Sequence, residues 1–568
     1  MQEKGKYGYV GWGITFLVLI SIFLFFRTTV TTQISMTDET HYIATAYRFF
    51  KGDVVLVDDW SPEQLNGILM LPFVCLFRMV ATSTEGIVLY FRLVYLISKA
   101  ILAIYAWWRL ERCGKYGIYG LLGVILFYLA TPFNIDCLSY NTIPLMMVFL
   151  ICIIAITPRD KSRDYFLCGV ALAFSVLAQP FTILLYFCMG AEWLLCFLPR
   201  FRQGKKFFCK GKCFGLITAG AACVAFFFLL YVFRKANVKD ILINLQYILN
   251  EPDHGGGERS GIIAYLLKLK NTSDIFWKSY DKVIMVNLLS CTVAIGLTLG
   301  AKHKKMLYNV AQICSGICLL ISCIIQLSMK SFMIENEIWI PFAGYALIQL
   351  LINERKLEEW SVFCFLGSYI IAIALGTNTG VHAPNAAMAV LGIFSIILFG
   401  RRTEIAFGHY RIGEQIIMGL IVGCVFSVRI LICWDNIYNP EHYSWKIDKG
   451  PFMGTYTTEA IYQNYMGICD DLDQISWNEN DILFCGSETP VAYLYADVGY
   501  GTMGTPFFHM NYERYQEYLR LHQDKVPDII YYNELTGGAE ETAFIDKCMK
   551  QYEPIIMGEK VLLKKCRN

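Results

Sequence analysis

Residues 11–42 read GWGITFLVLISIFLFFRTTVTTQISMTDETHY, an apolar run followed by a polar segment that carries the pair Asp38-Glu39. A bilayer core takes about 20 apolar residues per helix, so the run is long enough to cross one. No small-residue cleavage site follows it, which makes it a retained first span and not a removed signal peptide. The rest of the chain agrees with a membrane reading: 56% of the 568 residues are hydrophobic and 17% are charged, a balance foreign to soluble chains of this length. The formal net charge of +2 offers no basic field for a nucleic acid.

Scanning for comparable runs gives about thirteen spans, centred near residues 19, 97, 125, 147, 172, 189, 223, 291, 316, 345, 367, 392 and 423. Lys and Arg gather in alternate short connections, at Arg109 to Lys115, Arg159 to Arg163, Arg200 to Lys212, Lys302 to Lys305, Arg355 to Lys356 and Arg401 to Arg411. The positive-inside rule puts those connections and the N-terminus in the cytoplasm. Residues 30–85, 234–281, 376–385 and everything after about 433 then lie outside. The predicted architecture is a polytopic α-helical membrane protein, with a transmembrane domain over 1–433 and a small extracytoplasmic α/β domain over 434–568. Strand-like runs at Asp481 to Cys485 and Asp528 to Tyr532, and helical stretches around Thr458 to Leu472 and Tyr512 to His522, carry the α/β expectation.

Most of the 21 cysteines, Cys152, Cys188, Cys223, Cys318 and Cys364 among them, fall inside apolar runs and read as packing residues. No Cys/His spacing for a structural zinc appears in the tail. From Glu39 to Phe50, Ile43, Ala46, Tyr47 and Phe50 recur at helical spacing, which predicts an amphipathic helix in the outer interface with Asp38 at its N-terminus.

The segment Thr37-Asp38-Glu39-Thr40-His41-Tyr42, followed by Ala44, Ala46 and Gly52-Asp53, resembles the first outer loop of the GT-C superfamily of glycosyltransferases. The nearest patterns are the protein O-mannosyltransferase-like (glycosyltransferase family 39-like) and aminoarabinose-transferase-like families. In those families an acidic pair opens the first outer loop, a Tyr and interfacial helices follow, and an Arg-Leu dipeptide, here Arg92-Leu93, introduces the second span. The resemblance covers the first 200 residues or so as motif. The proline-rich stretch typical of the aminoarabinose group is reduced here to Ser61-Pro62 and Leu71-Pro72. The resemblance implies an inverting transfer of a sugar from a polyprenyl-phosphate donor to an extracytoplasmic acceptor, a cell-envelope glycan, lipid or protein.

That chemistry needs a carboxylate to take the acceptor's proton and cationic or hydrogen-bonding groups for the departing phosphate. Asp38 is the expected base. Neighbouring helical residues point about 100° apart, so Glu39 is expected to orient a metal or the acceptor instead. Asp136 in the third outer turn is the second acidic candidate. Each aspartate also reads as a helix N-cap. His41, Tyr42 and Arg92 are candidate substrate and phosphate ligands. Lys99, seven residues past Arg92 on the same face, is either a further phosphate ligand or the partner of Glu192 in a buried ion pair. The loop Glu251-Pro252-Asp253-His254-Gly255-Gly256-Gly257-Glu258-Arg259 reads either as a gate that brings His254 and Arg259 to the phosphate or as a solvated tip. The turn Gly376 to His382 is a secondary candidate. A divalent metal is left open, with Glu39, Asp136 and His254 as candidate ligands. Two rival functions fit the span count: a transporter or flippase of envelope precursors, and a non-catalytic envelope scaffold.

Overall fold

A computed structural model describes residues 30–32, 34–157, 162–195, 197, 211–250, 262–300, 305–329, 331, 333–352, 357–377, 379–399, 423, 443–486, 489–505, 511–535 and 538–566. The first expected span and all of the last but residue 423 lie outside that set, as do His254 and Arg259.

Helix α1 (Asp38–Phe50) opens on Asp38 and Glu39 and closes on Arg48, a charge order that suits the helix dipole. Gly52, at a φ of 116°, turns the chain after it. Helix α2 (Leu65–Val80) then leads through a short loop to α3 (Ile87–Cys113), bounded by the left-handed glycines Gly86 and Gly114. Among the described residues eight further helices follow in turn: α4 (Gly117–Leu129), α5 (Thr142–Ile156), α6 (Ser162–Ala178), α7 (Ile183–Leu195), α8 (Gly211–Lys235), α9 (Val238–Leu249), α10 (Ile262–Ser279) and α11 (Asp281–Gly300). Among the described residues α12 (Lys305–Ser328), the short α13 (Ile334–Glu337), α14 (Ile340–Ile352), α15 (Leu357–Gly376) and α16 (His382–Phe399) come next.

Among the described residues four helices are long and apolar enough to cross a membrane, Ile87–Cys113, Cys213–Lys235, Glu359–Gly376 and His382–Phe399. Five shorter apolar helices accompany them. The span Cys213–Lys235 leaves Phe226, Phe227, Leu230 and Phe233 more than half exposed, an apolar surface that water penalises and hydrocarbon solvates. Helices α6 and α8 approach backbone to backbone, since a Cβ built on Gly169 would lie 1.9 Å from the Ile217 carbonyl oxygen and one on Gly220 would lie 2.1 Å from that of Phe166. Such small-residue contacts are how helices associate where lipid removes the hydrophobic drive between them.

The C-terminal residues build a mixed sheet. Its strands are β3 (Ile482–Gly486), β4 (Gly499–Tyr500), β5 (Ile529–Tyr532), β6 (Tyr552–Met557) and β7 (Val561–Lys565), in the order β4-β3-β5-β7-β6. β3 runs parallel to β4 and β5, while β7 is antiparallel to β5 and β6. Helices α17 (Glu459–Leu472), α18 (Val491–Ala496), α19 (Tyr512–Leu521) and α20 (Ala539–Cys548) connect and flank these strands. A small ribbon, β1 (Trp445–Lys446) with β2 (Tyr456–Thr457), precedes them. The strand and helix stretches picked out of the tail sequence thus form, with bounds shifted by a residue or so.

One expectation fails in an instructive way. Helix α1 does not lie in an interface with one polar face open, because Glu39 through Phe49 are all buried. The C-terminal region covers the polar face: the Tyr500 hydroxyl donates to the Ala44 carbonyl at 2.9 Å, Thr45 Oγ1 donates to the Thr505 carbonyl at 3.4 Å, and Tyr47 donates to Asp497. Lys51 and Arg78 meet Asp497 as well, at 3.3 and 3.0 Å.

Candidate active site

The two carboxylates of the opening pair part company at the start of α1. Thr37 occupies the N-cap position without a side-chain capping hydrogen bond, and Asp38 is the first helical residue. Glu39 turns inward and accepts two parallel hydrogen bonds from Arg92, from Nε and Nη2, each 2.6 Å long. The other edge of that guanidinium donates to the carbonyls of Val30 at 2.6 Å and Thr32 at 3.0 Å. Arg92, expected on the phosphate, is therefore committed to the chain itself, and Glu39, expected near a metal or acceptor, is held by Arg92. The fork geometry and the burial of both partners make this a positioning contact that fixes α1 to α3 and to the segment just before α1.

Asp38 points the other way, one turn below His41 and Tyr42 on the same face. It is exposed. Burial raises its carboxyl above the ordinary carboxylate value; His41 works against that rise and Glu63 adds to it. His41 Nε2 sits 3.2 Å from Glu63 Oε2, while its buried Nδ1 has no hydrogen-bond partner among the described residues. Tyr42 meets Tyr140 edge-on at 5.5 Å between ring centres. Burial, followed by Tyr140, Glu63 and Asp38, pushes the Tyr42 hydroxyl well up, so it stays protonated as a donor.

Asp136 belongs to the same floor, close enough to act on the charge of Arg92. The N-cap reading fails for it, since α5 starts at Thr142 and Ser139 Oγ receives the backbone N–H groups of Asn141 and Thr142 at 3.2 and 3.1 Å. Its turn carries two non-glycine residues in the left-handed region, Phe133 at φ 56° and Asn134 at φ 55°. Each costs on the order of 1 kcal/mol or more, and such strain persists only where neighbours over-determine it. Asn336 supplies that hold, its Oδ1 accepting the Phe133 N–H at 3.0 Å. Beside Asn336, the buried Glu337 accepts from Tyr280 at 2.8 Å and Gln326 at 3.0 Å and lies 4.0 Å from His382 Nδ1. The Gly376 to His382 turn, a secondary candidate by sequence, thus abuts the Asp136 turn through α13.

Lys99 is buried and donates to the Ala130 carbonyl and to Thr131 Oγ1 at 3.1 Å, over the faces of Tyr95 and Tyr128. It holds the strained turn from below. Glu192 sits on α7 beside Cys188 and Cys364. His254 and Arg259 are outside the described residues. Among the described residues no group of three or more His, Cys, Asp or Glu could hold a metal ion.

An apolar cavity of about 740 Å³ opens between α2, α3, α5, α6 and α8. Leu138 and Ile143, which bracket Tyr140 and Asn141 in the chain, form part of its wall with Met146, Leu102 and Phe228.

Sequence reading missed Glu63 and the Asn336-Glu337 pair. Glu63 had a weak signal: it follows Ser61-Pro62 on the loop that already carried the acidic pair. Glu337 had none, since Gln326 and Tyr280, which donate to it, stand 11 and 57 positions away with no shared motif.

No protein-family model matches the chain, and no curated protein does. Among solved structures the chain is similar to ArnT from Cupriavidus metallidurans bound to undecaprenyl phosphate, at 10% identity and a TM-score of 0.44, over 97% of this chain and 98% of that one. It is also similar to the oligosaccharyltransferase of Archaeoglobus fulgidus, solved with Zn and sulfate, at 11% identity and a TM-score of 0.42, over 87% of this chain. The chain spans 64% of that oligosaccharyltransferase's length.

Proposed function

We propose that the chain is a membrane glycosyltransferase that moves a sugar from a polyprenyl-phosphate donor to an acceptor on the outer side, with inversion. The observation that carries this reading is the exposed, raised carboxylate of Asp38 beside His41 and Glu63, and the apolar cavity of about 740 Å³ is the seat we assign to the donor's isoprenoid chain. The acceptor hydroxyl or amine attacks the anomeric carbon. A new glycosidic bond forms as the bond from that carbon to the phosphate oxygen breaks, the electron pair leaves with the phosphate, and the acceptor's proton passes to Asp38. A carboxyl raised above its ordinary value is a stronger base once ionised, which suits proton abstraction near neutral pH.

In this reading His41 and Tyr42 line the wall beside the base and offer hydrogen bonds to the donor, Asp136 orients the acceptor, and Arg92 and Lys99 position the floor without touching substrate. The C-terminal region lies on the outer side with the acceptor.

Purified protein incubated with polyprenyl-phosphate sugars tests the proposal. Release of free polyprenyl phosphate coupled to acceptor glycosylation supports it. No release across donors, together with solute uptake into vesicles, would replace it with the transporter reading.

A further inference from the structure

Helix α9 (Val238–Leu249) has two faces with different occupants. At about 100° per residue, Val238, Leu242, Leu245 and Leu249 fall within a stripe roughly 60° wide. Three of them are strongly exposed: Val238 at 57%, Leu242 at 62% and Leu249 at 66%. The other side is fully engaged. Asn244 Oδ1 accepts from Trp60 Nε1 at 2.8 Å and lies 3.0 Å from His522 Nε2. The Tyr247 ring stacks on Trp60 at 4.2 Å, and its hydroxyl donates to Glu517 at 2.7 Å. Arg514 closes the end of the helix by donating to the Tyr247 and Asn250 carbonyls, at 2.8 and 3.2 Å, which satisfies acceptors that a helix C-terminus otherwise leaves open.

The height of α9 is fixed by what precedes it. The span Cys213–Lys235 ends in Arg234 and Lys235, the Lys235 ammonium lying over the Tyr231 ring at 5.3 Å. A basic pair and a tyrosine at the end of an apolar helix mark the headgroup level. Only Ala236 and Asn237 intervene, and Asn237 Oδ1 caps α9 by accepting the Asp240 N–H at 2.9 Å. Helix α9 therefore starts at the membrane surface, and its open stripe continues the exposed apolar face of the span before it.

The geometry points to α9 as an interfacial foot: its apolar stripe inserts into the phospholipid leaflet at the Lys235 end of the span, while its polar side carries the C-terminal region. The occupant of the stripe is lipid, at the boundary of headgroups and acyl chains, where amphipathic helices bury one face. A small foot of this kind sets the C-terminal region at a constant height above the bilayer.

Site-specific photocrosslinking in the full-length protein tests this, in nanodiscs of phosphatidylcholine and phosphatidylglycerol. Benzoylphenylalanine replaces Leu242, Leu249, Phe227 or Glu553, one position per protein. Phe227, on the exposed face of the span, reports authentic lipid contact, and Glu553, exposed on the edge strand β6 of the C-terminal sheet, reports background. The expected result is phospholipid adducts at Leu242 and Leu249 as at Phe227, with none at Glu553. Adducts at Phe227 but none at Leu242 and Leu249, or protein adducts at those two positions, would overturn the proposal. Because no sugar donor is used, this outcome is independent of the transferase reading.

Discussion

Arg92 and Glu39, 53 positions apart, meet through two 2.6 Å hydrogen bonds in a buried fork, and that contact fixes the first turn of α1, where Asp38 stands, against α3. Removing one partner leaves the other charged and buried, which typically costs about 3–5 kcal/mol. Arg92→Ala is expected to lower the thermal midpoint in detergent sharply. Arg92→Lys, which keeps the charge but loses the fork, is expected to recover part of it. If both variants melt like the parent, the positioning role is wrong.

Asp59 gives a stability signature that can be read by pH. Its buried carboxyl is pushed up to about 6, with burial the first cause and the Arg48 guanidinium opposing it. The folded chain then keeps a proton that the unfolded chain releases at the ordinary carboxylate value. This contribution to stability is fully present below that value and is lost as pH rises through about 6. Thermal melts across this window are expected to show falling stability, and Asp59→Asn is expected to flatten the slope.

The raised carboxyl of Asp38 predicts an acidic limb of kcat/KM at higher pH than an ordinary carboxylate would give. Glu63 contributes to that rise by its charge, so Glu63→Gln is expected to move the limb to lower pH. A limb that stays in place, or moves up, would mean that Asp38 is not the titrating base.

Filling the cavity separates lipid binding from chemistry. Met146→Trp adds bulk to a wall of the 740 Å³ space without touching the polar cluster. A long-chain donor is expected to lose affinity, while a donor truncated to one or two isoprene units is turned over at the parental rate. Equal losses for both donors would place the lipid chain elsewhere.

The sequence carried the membrane character, the start of α1 at Asp38 and the strands at Ile482 and Ile529, because each rests on local pattern: apolar runs, a charge order, β-rich segments. It could not show that α1 is buried on both faces, since the chain that covers its polar side lies some 450 positions on, at Asp497, Tyr500 and Thr505. Nor could spacing reveal that Lys99 ends on the Ala130 carbonyl, because a backbone acceptor leaves no mark in residue types. Arg48 makes the same point: Asp53, Asp59, the Thr502 carbonyl and Tyr518 surround it, and only Asp53 and Asp59 are close in sequence.

The central claim is that Asp38 takes the acceptor's proton while Glu39 serves the framework. Single-turnover release of polyprenyl phosphate by Asp38→Asn, measured beside a thermal melt showing an intact fold, tests it most directly. A general base typically contributes about 10²–10⁴-fold, and a loss of that size with an unchanged melt is the expected result. Release at the parental rate by a folded Asp38→Asn protein would contradict it.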